Sequence, residues 1–100
     1  MGNQLEFDFA SSDAFRGQLE TSMQTVRDRL QTMEREVEKV REWWKGGSEE
    51  GFIRNFSTTR RKIDRKLNEV QREYQRLVTQ VRRVKEQEER DMRAALQQRA

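Results

Sequence analysis

The 100-residue chain contains no cysteine, no histidine, no proline and only five glycines. Without cysteine there is no disulfide framework, no thiolate metal site and no cysteine nucleophile. Without histidine the usual general base and the commonest metal ligand are gone, so neither metal nor cofactor is expected. No apolar run approaches the roughly 18 residues of a membrane span. The opening residues MGNQLEFDF lack the charged-then-apolar order of a cleaved signal peptide. Gly2 is followed by Glu6 at the place where a myristoylation signal needs Ser or Thr. Hydrophobic residues make up 32% of the chain and charged ones 39%, and mean hydropathy is −1.22. Such a chain cannot bury a large private core and needs a partner, either a copy of itself or another helical protein.

What is present is periodic. Leu19, Val26, Met33 and Val40 form one heptad row, and Met23, Leu30, Val37 and Trp44 form a second. After two glycines the pattern resumes, with Phe56, Ile63, Val70, Leu77 and Val84 in one row and Ile53, Leu67, Tyr74 and Val81 in the other. Arg60 interrupts that last row. The spacing predicts a loose arm over residues 1–10, a helix over 11–45, a turn over 46–50 and a second helix over 51–97. These make one domain, an all-α antiparallel two-helix hairpin that dimerises into an elongated four-helix bundle. The rows just named supply the seam within the hairpin and between copies. Ser11 or Ser12 is the expected N-cap of the first helix and Ser48 that of the second, with Glu49 and Glu50 facing its positive end. Folding back at residue 48 would pair Arg60 with Glu36, Tyr74 with Ser22 and Val84 with Ser12. Beyond Val84 the seam positions become Glu88 and Asp91, so an overhang is expected from about residue 85.

Charge is divided along the chain. Residues 1–50 hold 7 Lys/Arg against 11 Asp/Glu, a net −4, and residues 51–100 hold 14 against 7, a net +7. Packing an acidic helix on a basic one fits this division. It leaves Arg54, Arg61, Arg65, Arg72, Arg76, Arg82 and Arg83 mostly turned away from the seam. Phosphate binding is the specific reading of that face and a solvated surface the plain one. No aromatic residue is interleaved there to stack bases, which weighs against nucleic acid. Catalysis has no foothold: there is no phosphate-binding loop, no activated nucleophile and no carboxylate pair in an apolar setting, so the chain is read as non-enzymatic.

Near the midpoint stands the string WWKGGSEEGF. Trp44 continues the seam and should pack on Phe52 or the opening turn of the second helix, while Trp43, one position away, should be partly exposed. Gly46 and Gly47 suit a reversal that needs positive φ. Trp44, Gly46, Ser48 and Phe52 together resemble the signature of the WXG family of small type VII secretion substrates, the relatives of the early secreted antigenic target. The resemblance extends over the whole chain in length, paired helices and central turn.

The resemblance implies a protein made in the bacterial cytoplasm and secreted without a cleaved signal peptide. It also implies a type VII secretion ATPase as partner, and a homodimer or a heterodimer with another WXG-type protein or a toxin's N-terminal domain. Trp44 and Gly46 would carry the tip's secretion or partner-recognition signal, supported by Trp43, Ser48 and Phe52. In the family a second part of that signal is a Tyr-x-x-x-Asp/Glu motif after a partner's second helix. Here Tyr74 is the only tyrosine, it lies in the seam, and Val78 stands four residues on. The alternative reading is a cytoplasmic interaction module, or an escort of a larger secreted toxin.

Overall fold

The computed structural model describes residues 6–99. It contains two α-helices, α1 (Phe9–Glu38) and α2 (Ser48–Arg99), with a short 3-10 helix, Lys39–Glu42, continuing α1 toward the turn. The principal extents are 84 × 20 × 19 Å, a rod whose long dimension is set by the 52 residues of α2.

Asp8, rather than Ser11 or Ser12, caps α1. Its carboxylate accepts from the backbone N–H groups of Ala10 and Ser11, at 3.0 and 3.2 Å, and from the Ser11 hydroxyl. Those bonds hold the Asp8 carboxyl below its ordinary value, the Ser11 hydroxyl contributing most. α1 therefore begins within the expected arm, whose residues 1–5 lie outside the described residues. Its far end tightens to 3-10 before the tryptophans instead of running to residue 45. α2 starts at Ser48, three residues ahead of the expected start, and reaches Arg99.

The register also differs from expectation. Tyr74 meets Ser12, not Ser22: its hydroxyl donates to the Ser12 carbonyl at 3.1 Å and touches the Ser12 hydroxyl, and its ring stands edge-on to Phe15 at 5.2 Å. Arg82 lies over the Phe9 ring at 4.9 Å. Arg60 pairs with Glu34 instead of Glu36, and Arg27 donates to Asn68 at 2.8 Å. The midpoints of Phe9–Arg82, Phe15–Tyr74 and Arg41–Glu50 fall between Trp44 and Gly46. The two pairs made by Arg27 and Arg60 are offset from this by about one turn, within reach of an arginine side chain. Val84 is accordingly exposed beyond the start of α1, and every side chain from Asp91 to Gln98 is exposed.

The heptad rows separate into two functions. Met23, Leu30, Val40 and Ile53 are buried between the helices, with Leu19, Val37, Leu67, Tyr74 and Val81 half-buried beside them. Val26, Met33, Val70, Leu77 and Val84 are exposed, and Phe56 and Ile63 half-buried along the same row. Phe15, Leu19, Val70 and Leu77 line one shallow apolar groove, so the exposed residues of both helices share a flank. Among the described residues no side chain is fully buried.

Candidate functional site at the hairpin tip

The tip is built from the end of the 3-10 helix, the glycine turn and the first turn of α2. Trp43 and Trp44 both donate their backbone N–H to the Val40 carbonyl, at 3.2 and 2.8 Å, which closes the helix tightly enough to put both rings on the turn. The chain then reverses through Gly46 and Gly47, whose φ angles of +119° and +101° are ones that L side chains rarely adopt. A Cβ at either position would meet nothing within 4 Å. The backbone conformation, not crowding, is what demands glycine there.

The sequence-identified residues converge. Trp44 is half-buried and its ring lies 5.7 Å from that of Phe52, tilted by 37°. Trp43 stacks on Trp44 at 6.2 Å with an interplanar angle of 20°, yet it is 72% exposed. Phe52, Trp44 and Trp43 thus form a graded aromatic stack that ends in an open indole face. Ser48 is exposed and opens α2, with the Gly47 N–H satisfied by the Glu49 carboxylate at 2.8 Å. Aromatic anchors held on a rigid turn favour binding because little motion is lost when a partner covers them.

A charged clamp that the sequence reading did not find braces this stack. The Arg41 guanidinium spans the turn, bonding Glu50 through Nε at 2.9 Å and Nη2 at 3.1 Å, and also pairs with Glu38. The two-pronged bond from Arg41 pulls the Glu50 carboxyl below its ordinary value, and Glu50 in turn raises Arg41. Lys45 Nζ donates to the Arg41 carbonyl at 2.7 Å, covering a helix-end acceptor. An arginine one turn before the aromatic pair and a carboxylate just after the glycines were the available signal. Among the described residues no group of three or more carboxylates is placed to hold a metal ion, and no helix is long and apolar enough to cross a membrane.

The pattern of one family, proteins of 100 residues with WXG, matches residues 4–92. No curated protein and no solved structure matches the chain. Because the match spans both helices and the Trp44-Lys45-Gly46 turn between them, the chain belongs to the WXG100 family, small helical proteins that work with type VII secretion systems.

Proposed function

We propose that this protein is exported through a type VII secretion system, or accompanies a secreted partner through it, and is recognised at the hairpin tip. The observation carrying the proposal is the open Trp43 face, backed by Trp44 on Phe52 and fixed by two positive-φ glycines. Family members are secreted without signal peptides and work as dimers. The apolar row of α2, exposed at Val70, Leu77 and Val84, suits a second copy. Its five residues are self-complementary about Val70. In an antiparallel pair Phe56 meets the partner's Val84 and Ile63 meets the partner's Leu77. Lys66 comes beside the partner's Glu73, a pairing repeated across the two-fold axis.

Tip variants test recognition separately from folding. Trp43→Ala and Trp44→Ala should remain helical dimers by circular dichroism and mass while disappearing from the culture medium. Normal secretion of both would refute recognition at the tip. Val70→Glu should convert the dimer to monomer in sedimentation, and an unchanged mass would refute the self-paired row.

The escort reading gains support from Tyr74. That residue is committed to Ser12 and Phe15, and Val78 occupies the acidic place four residues on, so this chain's own tyrosine is not free to serve in a tail motif. Export of this protein only when a tyrosine-bearing partner is co-expressed would distinguish escort from self-sufficient export. Protein found only inside cells, even with such a partner, would instead favour a cytoplasmic interaction module.

A further inference from the structure

One face of α2 carries a row of arginines, broken only by polar residues such as Thr79 and bordered by Glu69 and Glu73. Arg61, Arg65, Arg72, Arg76 and Arg83 are exposed, and their spacing alternates four and seven residues. That is an eleven-residue repeat, close to three whole turns, so the residues keep to one side of a straight helix where a heptad would drift. At ~1.5 Å per residue the row is about 33 Å long. It lies roughly opposite Val70 and Leu77, so a dimer formed through the apolar row leaves it outside.

Four other cations of α2 are engaged. Arg60 pairs with Glu34, Lys66 with Glu69 at 3.2 Å and Lys85 with Glu88 at 3.9 Å, while Arg82 covers Phe9. The five arginines make no ion pair among the described residues, and none of the lysines joins their row. Guanidinium groups suit carboxylate and phosphate partners because their planar fork bonds two oxygens at once.

We propose that this row docks an acidic α-helical segment of a protein partner lying along α2. A helix has the same pitch as the row, so carboxylates alternating at four and seven residues can meet every guanidinium over its length. A nucleic-acid duplex cannot do so, since its backbone curves away from a straight rod after one groove crossing. No aromatic residue stands in the row to hold a single strand by stacking. The inference uses the face of α2 away from the tip and does not depend on the export reading.

The test uses the full-length protein with three labelled probes in anisotropy titrations over a salt series. The first is a peptide with Glu alternating at four and seven residues, the second the same composition scrambled, and the third a DNA duplex of equal charge. The ordered peptide should bind about tenfold more tightly than the scrambled one and gain helicity on binding. Arg65→Gln/Arg72→Gln/Arg76→Gln should lose about tenfold in affinity with unchanged mass and helicity, and the matching Arg→Lys variant should recover only part of it. Equal binding of the two peptides, tighter binding of the duplex, no peptide binding, or full recovery with lysine would overturn the proposal.

Discussion

Replacing Gly46 separates backbone strain from side-chain contact at the tip. With φ at +119° and nothing within 4 Å of an added Cβ, Gly46→Ala introduces strain without a clash. Holding a non-glycine residue in such a region costs about 1–3 kcal/mol. The same substitution made by chemical synthesis with D-alanine reverses the argument. For the D residue this φ mirrors an ordinary negative φ of an L residue, and the unfolded chain loses freedom. That variant should match or exceed the parent by about 0.4–1 kcal/mol. The two enantiomers should thus differ by about 1.5–4 kcal/mol in one position of one protein. With a urea slope of about 1–3 kcal/mol/M for a chain of this size, a 2 kcal/mol difference moves the midpoint by roughly 1 M. The assay is urea unfolding followed by far-UV circular dichroism at one fixed protein concentration, because association would shift the midpoint. Equal destabilisation by both enantiomers would refute the strain account. It would mean that the empty space beside Gly46 is filled when the protein is assembled.

Three further outcomes follow from the packing. Leu30→Ala, in the buried seam, should cost about 2–5 kcal/mol in the same unfolding assay. Met33→Ala should cost as much only if a partner covers Met33, which is 51% exposed in the single chain, and its loss should then depend on protein concentration. Tyr74→Phe removes the donor to the Ser12 carbonyl and should cost about 0.5–1.5 kcal/mol; a null effect would show that this bond does not hold the register. For Glu50, the folded carboxyl lies below its ordinary value of 4.5, so the Arg41 contribution is complete above that pH and is lost as pH falls through the lower folded value. Comparing acid unfolding of the parent with Arg41→Ala checks this, the variant losing that part of the pH dependence; identical acid profiles would refute it.

Much of the hairpin was legible because its signals are local. The glycine pair marks the reversal, and seam spacing at Trp44 points its ring toward Phe52. A small residue opposite Tyr74 was also anticipated, but Ser12 fills that place instead of Ser22. Heptad rows define which side of a helix is apolar without fixing how far one helix slides along the other. Here the slide is set by the length of chain consumed between Glu38 and Ser48, where a 3-10 turn and an irregular stretch replace α-helix. Nor could a/d spacing say that Leu30 would be covered while Val26, four residues earlier, stayed in solvent, since each helix carries a stripe wider than one neighbour can cover. The cap at Asp8 was hidden for a different reason: two adjacent serines looked like the better acceptors, yet the Ser11 hydroxyl is itself consumed as a donor to Asp8. Arg41 escaped notice because its value lies in spanning the turn, which requires the register to be known.

The exposed stretch of α2 differs from the rest of the hairpin in what keeps it helical. From Asp91 to Gln98 the helix is exposed on all sides, so its order there is governed by helix–coil equilibrium and not by the cooperative unfolding of the hairpin. A trypsin-like protease should reach Arg90 or Arg93 there sooner than the arginines beside the paired helices. Cleavage after Arg90 would remove Met92 and Leu96 yet spare Tyr74, Ser12 and the tip. The order of this stretch therefore depends on whether another molecule lies against it.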